Sequence, residues 1–357
     1  MTMVISGSDG ITFPDTTEQD TGYANGIGFR NRIINGDCRI AQRGTAAVTS
    51  SSGAQFPIDR FFIIKDTATT AVMTAEQSTT APAGFINSVK VTTTTAQASL
   101  AGTDYHRFAQ NIEGLNVADL GWGTANAKTV TLSFWVRSSL TGTFGGSLGN
   151  SAWNRTYPFT YTISAADTWE QKSITIAGDT SGTWLTTNGI GLRVDFGLGV
   201  GTTYSGTAGA WAGALYISAT GATNVSGTLN ATWYITGVQL EVGSVATPFE
   251  RRPYELALCQ RYYELLGFAV GRATGSTVSE MNTKFMVEKR ASPTITLVNG
   301  TGKLLEVGVA VRNATSLNSS TPNLNGSYVN IATTGLTSPN MTFLYGASNI
   351  LSASAEL

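Results

Sequence analysis

In the segment Thr129-Val-Thr-Leu-Ser-Phe-Trp-Val-Arg137, every second residue is an aliphatic residue or phenylalanine. Its apolar residues fall on one face, and the residues between them fall on the other, namely Thr131, Ser133, Trp135 and Arg137. A period of two residues is typical of a β-strand, because successive side chains point to opposite faces of a sheet. The segment therefore predicts a strand with one face buried in a core.

Four further segments alternate in the same way, at residues 157–163, 171–176, 190–198 and 232–240. In the last of them the core side is assigned to Tyr234, Thr236, Val238 and Leu240, with Trp233 on the opposite face. The intervening residues are rich in Gly, Thr and Asn, and we interpret residues 141–143, 145–146, 177–182 and 199–209 as turns. Strands joined by turns and not by helices predict an antiparallel β-sandwich.

The composition supports an all-β protein with a substantial core. Charged residues make up 13% of the 357 residues and glycines number 40, which argues against long charged helices and coiled coils. Hydrophobic residues at 41% can form a core, so disorder is not expected. The 22 basic and 23 acidic residues include no basic block, which argues against binding to nucleic acid.

The start of the chain and its cysteines indicate a protein made in a reducing cytoplasm. The first residues lack the positive region and apolar stretch of a secretory signal. No run approaches the roughly 18 apolar residues of a membrane span, so we expect no membrane insertion. Cys38 and Cys259 lie far apart in the sequence, without the spacing of a zinc site or a disulfide framework, and both are predicted to be buried.

One segment, residues 253–266, has the period of a helix. Pro253 suits the first helical position, and Gly267 would end the helix. The apolar residues of one helical face are Leu256, Cys259, Tyr263 and Leu266. After this helix we predict strands at residues 269–275, 284–289, 294–298, 304–311, 328–333 and 342–345.

The predicted chain has three parts. Residues 1–29 form a polar segment that should become ordered only against a partner, and its one apolar patch contains Ile11, Phe13 and Pro14. Residues 30–252 form the sandwich. Residues 253–357 form a linker helix and a small β-rich C-terminal domain.

The sequence offers little that is typical of a catalytic site. His106 is the single histidine, and no Gly-x-Ser-x-Gly motif stands near it, so we interpret it as a strand residue bonded to a neighbour. Glycoside hydrolysis needs only two carboxylates at a suitable separation, which a sequence cannot show. The acidic candidates are Glu113, Asp167, Glu170, Asp179 and Asp195, and nothing marks two of them as partners. We therefore assign no catalytic residue and predict that the protein is not an enzyme.

The placement of aromatic residues is more informative. Trp135 shares a strand face with Arg137, Arg193 shares one with Asp195, and Trp233 is assigned to an outer face. An exposed indole can stack on the C–H face of a pyranose while polar groups bond its hydroxyls, so these five residues are our candidates for glycan binding. The alternative interpretation is that a neighbouring subunit covers Trp135, since tryptophan is also enriched in protein interfaces.

Several stretches resemble one family. Arg30-Asn-Arg-Ile-Ile-Asn-Gly-Asp-Cys-Arg-Ile-Ala-Gln-Arg-Gly44 with Pro57-Ile-Asp-Arg-Phe61, and the closing Trp233-Tyr-Ile-Thr-Gly-Val-Gln-Leu-Glu-Val-Gly243, are similar to the first and last strands of carbohydrate-binding-module-like jelly rolls in bacteriophage tail-fibre and virion structural proteins. Ala246-Thr-Pro-Phe-Glu-Arg-Arg252, Cys259-Gln-Arg-Tyr-Tyr263 and Arg290-Ala-Ser-Pro-Thr294 are similar to the linker helix and C-terminal domain that follow it. Gly10-Ile-Thr-Phe-Pro-Asp15 resembles short attachment segments of phage fibres.

The resemblance implies an all-β protein with a jelly-roll β-sandwich, a linker helix and a β-rich tip. It further implies a homotrimeric fibre or spike of a virion, assembled in the host cytoplasm, that adheres to host cell-surface polysaccharide. Ile11, Phe13 and Pro14 would attach it to other virion proteins. In the tip, residues 312–325 and 334–340 are candidate receptor loops because their side chains can bond hydroxyls.

Two alternative functions stay open at the level of sequence. The first is an architectural head-decoration or collar protein that binds only other virion proteins. The second is a capsule depolymerase. Modules of the resembled type often hold a structural calcium through an Asp on the last strand, and here Ile235-Thr-Gly-Val238 lacks that Asp. We therefore predict no cofactor, with Asp37 and Glu241 as weak calcium candidates.

Overall fold

Three short strands open the structure, a computed structural model that describes residues 4–6, 10–12, 18–19, 29–298, 302–345 and 350–357. The strands β1 (Val4–Ser6), β2 (Gly10–Thr12) and β3 (Glu18–Gln19) pair in the order β1-β2-β3, and both pairs are antiparallel. Ile11 lies in β2, whereas Phe13 and Pro14 lie outside the described residues.

A sandwich of two antiparallel sheets follows. One sheet has five strands in the order β11-β10-β13-β8-β5, and the other has six in the order β12-β9-β16-β7-β6-β4. A short parallel pair, β14-β15, lies outside these sheets. The strands are β4 (Val48–Thr49), β5 (Phe61–Lys65), β6 (Val72–Ser78), β7 (Ser88–Thr95), β8 (Tyr105–Glu113), β9 (Val130–Ser138), β10 (Gly142–Gly149), β11 (Thr156–Ile163), β12 (Glu170–Ile176), β13 (Ile190–Val200), β14 (Ser205–Gly206), β15 (Ser218–Ala219) and β16 (Thr232–Val242).

The predicted jelly-roll sandwich is confirmed. All five segments with alternating side chains are strands, namely β9, β11, β12, β13 and β16. Aromatic rings from both sheets meet between them: Phe134 and Trp233 from the six-stranded sheet contact Phe196 and Phe108 from the five-stranded sheet. These rings are fully buried, so they supply much of the apolar area that drives the two sheets together.

The closing strand β16 corrects our assignment of its two faces. The register of β16 on β9 shifts between Thr236 and Gln239, where Gly237 has a φ of 61°. This β-bulge inserts one residue, so Trp233 before it and Val238 after it both face the core. A Cβ at Gly237 would lie 2.7 Å from the Phe85 ring, which leaves glycine as the residue that fits there. The prediction that Tyr234 faces the core and Trp233 faces outward is wrong.

A second correction concerns Gly145 and Gly146, which we interpreted as a turn. Both lie inside strand β10, opposite Gly197 and Phe196 of β13. Side chains there would collide with Ser218 and with the Phe159 ring. These glycines therefore permit close packing on both faces of the sheet.

The C-terminal part begins with a helix shorter than predicted. Helix α1 (Glu255–Gln260) has six residues, and residues 263–266 form a strand that pairs with a late strand of the chain. The prediction of one helix over residues 253–266 is therefore wrong, because sheet pairing outweighs the helical period. The strands are β17 (Tyr263–Leu266), β18 (Phe268–Ala273), β19 (Val278–Lys284), β20 (Thr294–Leu297), β21 (Lys303–Glu306), β22 (Ala310–Asn313), β23 (Ser316–Pro322), β24 (Gly326–Ala332), β25 (Met341–Tyr345) and β26 (Leu351–Ser354).

These strands form a three-stranded sheet, β17-β26-β20, and a seven-stranded sheet, β22-β21-β25-β18-β19-β24-β23. Of the predicted strands, residues 284–289 do not form one, and residues 304–311 are a hairpin of β21 and β22. The predicted receptor loop at residues 312–325 contains strand β23, which pairs with β24. Strands β19 and β26 were not predicted.

The C-terminal part is bonded to the sandwich through charged groups. Glu113 at the end of β8 accepts hydrogen bonds from Arg261, at 2.7 and 2.9 Å, and from the Tyr262 hydroxyl at 2.7 Å. Burial opposes ionisation of Glu113, but these donors outweigh it and lower the pKa of this carboxyl. Glu356 forms an ion pair with Arg60, and Asn111 donates to the Leu357 carbonyl at 2.9 Å. The last described residues thus lie against the five-stranded sheet.

Other predicted properties can be read from the same residues. Cys38 and Cys259 are free and fully buried, as predicted. No helix in the described part of the chain is long and apolar enough to cross a membrane.

The buried His106 predicts a specific pH dependence of stability. Its Nε2 lies 3.2 Å from Ser50 Oγ, and burial, with the nearby Lys65, lowers its pKa to about 4. A folded-state pKa below the unfolded value of 6.5 means that stability is complete above pH 6.5 and falls as the pH drops toward 4. Between pH 8 and pH 5 we expect His106 to cost about 2 kcal/mol of unfolding free energy.

Urea denaturation at both pH values measures this loss. Asp59, whose pKa burial raises to about 6, contributes with the opposite sign, so the His106→Asn variant is the proper reference. The wild type should lose about 2 kcal/mol more than the variant. Equal losses in both proteins would show that His106 is not buried as a neutral group.

Candidate functional site

The outer face of the five-stranded sheet carries a cluster of charged side chains. Leu192, Val194 and Phe196 of β13 face the core, so Arg193 and Asp195 between them face outward. Cross-strand register places Asn111 of β8 opposite Arg193, and Ser147 of β10 opposite Asp195. Arg107 of β8 lies opposite Gly197, two residues beyond Asp195 along β13.

These side chains are bonded to one another and lie under one indole. Arg107 forms an ion pair with Asp195, and Arg193 donates to Asn111 Oδ1 at 3.1 Å. The Trp153 ring lies 5.1 Å from the guanidinium carbon of Arg107 and 4.7 Å from that of Arg193. Both distances are within the range of a cation–π contact. We call this cluster the Trp153 site, formed by Arg107, Asn111, Ser147, Trp153, Arg193 and Asp195.

The backbone of Trp153 is in an uncommon conformation. Its φ is 58°, which is rare for a bulky residue and costs free energy that the surroundings must supply. Asn150 holds this loop, because its side-chain oxygen accepts from the backbone of Asn154 and Arg155, and its amide donates to the Thr183 carbonyl at 3.1 Å. Trp153 is half-buried, so one part of the ring is open to solvent.

The Trp153 site also contains polar atoms without protein partners. Among the described residues, 12 buried side-chain polar atoms lack a hydrogen-bond partner, and five of them are here or next to it: Arg107 Nε, Ser147 Oγ, Arg193 Nε, Asp195 Oδ2 and Ser218 Oγ. Ser218 lies over Gly145 and Gly197 of the same sheet face. A buried polar atom without a partner costs about 1–3 kcal/mol, so such a concentration calls for an explanation.

The arrangement suits a polyhydroxylated ligand. Hydroxyl groups both donate and accept, so they can bond the partly exposed guanidinium of Arg193 beside the indole. The indole offers an apolar surface beside them. Two guanidiniums against one carboxylate leave a positive charge, so an acidic sugar gains an additional attraction.

The remaining predicted site residues lie elsewhere. Trp135 and Arg137 are half-buried on β9, on the outer face of the six-stranded sheet, opposite the Trp153 site across the sandwich. Arg137 bonds Asp167 at 3.1 Å and lies 5.2 Å from the Tyr234 ring. Trp233 is fully buried and donates to the Tyr161 hydroxyl at 3.1 Å. The prediction that Trp233 is exposed for binding is therefore wrong. Asp195 is likewise fully buried and is paired with Arg107, where we expected an exposed acid.

Sequence reasoning missed Arg107, Asn111, Ser147 and Trp153. Arg107 and Asn111 share an outward period of two along β8, a signal that was present but not used. Ser147 was missed because the adjacent Gly145 and Gly146 were assigned to a turn, although all three residues lie in β10. Trp153 stands in an irregular loop, where no periodic pattern exists to point to it.

The weak calcium candidates do not fit a calcium site. Asp37 pairs with Arg39 at 3.1 Å, and Glu241 pairs with Arg30 at 3.2 Å while its oxygens also accept from Thr247. Their oxygens are thus bound by donors of the same chain. Within the described residues, no three His, Cys, Asp or Glu side chains are grouped so that they could hold a metal ion.

The acidic candidates for hydrolysis are likewise each bound by a different basic side chain: Glu113 by Arg261, Asp167 by Arg137, Glu170 by Lys172, Asp179 by Arg155 and Asp195 by Arg107. A general acid needs a raised pKa. The pKa of Glu170 is instead lowered, since hydrogen bonds from Lys172, Ala165 and Ser164 outweigh its slight burial.

The second predicted receptor loop, residues 334–340, is bonded to the sheet beneath it. Glu306 accepts from the Thr337 backbone at 2.6 Å and from the Asn340 side chain at 2.9 Å. Arg312 also binds Glu306, at 3.2 Å. The Thr337 backbone and the Asn340 side chain, which we expected to bind a receptor, therefore already donate hydrogen bonds within the domain.

The solved structures that are similar to this chain include two carbohydrate-binding modules and a phage tailspike domain. A family 11 carbohydrate-binding module from Clostridium thermocellum, in complex with a β-1,3-1,4-mixed-linked tetrasaccharide, is 10% identical over 57% of this chain and 99% of that chain, with a TM-score of 0.30. A family 4 carbohydrate-binding module is 13% identical over 58% and 98%, with a TM-score of 0.29. The enzymatically active domain of tailspike protein 4 of Bacteriophage CBA120 is 10% identical over 60% of this chain, which spans only 22% of that chain, with a TM-score of 0.33. No family model and no curated protein matches the sequence.

Two tryptophan substitutions separate a core role from a surface role. Trp233→Ala should lower the unfolding free energy by about 3–5 kcal/mol, because it empties a large volume between the sheets. Trp153→Gly should change it by less than about 1 kcal/mol, because glycine accepts a positive φ without strain. Chemical denaturation measures both values. A large loss in Trp153→Gly would show that the ring is part of the core.

Proposed function

We propose that this protein is a non-enzymatic adhesin that binds glycans through the Trp153 site, as the fibre or spike of a bacteriophage virion. One observation carries the glycan proposal: a half-buried indole lies over two guanidiniums on the outer face of the sheet, one of them, that of Arg193, partly exposed. A sugar supplies an apolar ring face for the indole and hydroxyls that can accept hydrogen bonds from the partly exposed guanidinium.

The virion assignment is supported by the sequence motifs given above. In this proposal the N-terminal segment with Ile11, Phe13 and Pro14 attaches the protein to other virion proteins, and the chain assembles as a homotrimer in the host cytoplasm. Three linked sites convert later contacts into intramolecular ones and can raise attachment by about 10²-fold or more. A weak single site would then be sufficient to hold host cell-surface polysaccharide.

We further propose that the protein needs no metal or other cofactor and cleaves nothing. The five acidic residues considered for hydrolysis are held in separate ion pairs, and the calcium candidates are bound by arginines. The bonded charges of the Trp153 site can position a sugar without a proton donor of raised pKa.

A glycan array with acidic and neutral bacterial polysaccharides tests the binding proposal. The wild type should bind a subset of them, with preference for acidic sugars. Trp153→Gly and Arg193→Ala should each weaken binding about 10- to 100-fold, since stacking and charged hydrogen bonds contribute about 1–3 kcal/mol each. The matched control is Trp135→Ala, which removes a half-buried indole from the opposite face and should leave binding unchanged.

Three outcomes would contradict the proposal. Failure of the wild type to bind any glycan or bacterial cell would favour an architectural protein. Loss of binding in Trp135→Ala but not in Trp153→Gly would move the site to the six-stranded sheet. Release of new reducing ends from a bound polysaccharide would show a depolymerase.

A further inference from the structure

The outer face of the seven-stranded sheet differs from the rest of the protein surface. Its strands alternate cleanly, and the inward residues are buried, among them Ala269, Met281, Leu304, Val329 and Leu344. The outward residues on four adjacent strands, β22, β21, β25 and β18, are mostly apolar. Sheet faces exposed to water usually carry polar residues, as on β12, where Gln171, Ser173 and Thr175 are exposed.

The apolar residues are continuous across these four strands. Val311 of β22 is the cross-strand partner of Leu305, Leu305 is the partner of Phe343, and Phe343 is the partner of Val270. Beyond Val270 the same row becomes polar, with Asn282 as the next partner. The face therefore has an apolar half and a polar half.

Several large side chains of the apolar half are open to solvent. The exposed fractions are 54% for Phe268, 54% for Val311, 55% for Met341 and 38% for Tyr345. Val307 and Val309, in the turn between β21 and β22, are 47% and 53% exposed. We call the set the apolar half-face: Phe268, Val270, Leu305, Val307, Val309, Val311, Met341, Phe343 and Tyr345.

A groove extends this surface on one side. It encloses about 450 Å³ and is lined by residues that include Phe268, Val270, Lys284 and Met286. Met286, at its rim, is 80% exposed. The apolar half-face and the groove thus form one continuous surface that shares Phe268 and Val270.

The size of this surface is near that of a specific protein interface. Seven of its side chains are exposed by 38% or more, and each offers roughly 50–100 Å² of apolar area. With the half-buried Leu305, Phe343 and Val270, the total is about 600 Å² on one partner. A standard interface buries about 800 Å² per partner, and the largest apolar patch on a typical monomer is about 300–600 Å², so this surface is at the upper end of the monomer range.

We infer that the apolar half-face is the contact surface between copies of this chain. A second copy is the partner that offers an apolar area of equal size. At its border Arg272 and Glu280 are cross-strand partners, so Arg272 of one copy can pair with Glu280 of another, while Lys303, the partner of Tyr345, and Lys284 in the groove add positive charge at the edges. Arg272 forms no salt bridge with another described residue, which leaves it free to pair across the interface.

This inference rests on the self-association included in the proposed function, for which it names the contact surface. It does not depend on glycan binding. It places the contact in the C-terminal domain, on a sheet separate from the one that carries the Trp153 site. Copies joined through the apolar half-face would each keep an open site on the sandwich.

Sedimentation of the full chain over a range of concentrations tests the inference. The wild type should form a defined oligomer. Val311→Lys combined with Phe343→Lys should raise the dissociation constant by about 100-fold or more, because each places a charge inside the apolar contact. The matched control is Ser319→Lys combined with Thr321→Lys, which adds the same charge to the polar half and should leave the oligomer intact.

A chemical probe covers the case in which the lysine variant does not fold. Cys38 and Cys259 are buried, so a thiol in Val311→Cys should be the main one that a maleimide reaches. Its labelling should slow at concentrations where the oligomer forms. A monomeric wild type would overturn both the self-association and this surface while leaving the glycan test unaffected. An oligomer with unchanged labelling or unchanged affinity in the lysine variant would overturn this surface alone.

Discussion

The alternation of side chains along β13 is the constraint on which both the core and the Trp153 site depend. Leu192, Val194 and Phe196 are fully buried between the sheets, so Arg193 and Asp195 can project only from the outer face. A shift of this strand by one residue would expose the apolar set and bury the charges among aromatic rings. The free energy of the core therefore fixes which side chains the site receives, and loops such as the one that carries Trp153 complete it.

The sandwich and two of the six residues of the Trp153 site follow from local sequence patterns. Segments such as Thr129–Arg137 have a period of two that no helix can satisfy, and each of the five became a strand. Arg193 and Asp195 were found because they occupy the polar positions of such a segment. The burial of Cys38 and Cys259 could be predicted as well, since free thiols are among the most buried side chains.

What the sequence did not reveal depends on contacts between distant residues. The bulge at Gly237 determines that Trp233 faces the core, and a prediction that assumes strict alternation does not include such a bulge. Residues 263–266 form a strand because they pair with β26, about 90 residues later in the chain. A local helical period contains no information about that pairing. Arg107 and Ser147 reach the Trp153 site through cross-strand register, and register is a property of the folded sheet.

Two buried arginines show how differently the chain satisfies its internal charges. Arg252 donates from all three nitrogens, to Glu255 and to the backbone carbonyls of Asn31 and Ile33, and no atom of this pair lacks a partner. Arg107 and Asp195 are as deeply buried, yet each keeps an unpaired atom. A structural network lowers the free energy of the fold by satisfying its members, whereas unpaired members raise it. Arg60, which pairs with Glu356 where the C-terminal part meets the sandwich, also keeps an unpaired Nε, so such atoms accompany buried ion pairs in more than one place. The Trp153 site differs from the Arg60 pair in the half-buried indole with a positive φ that lies over its two arginines.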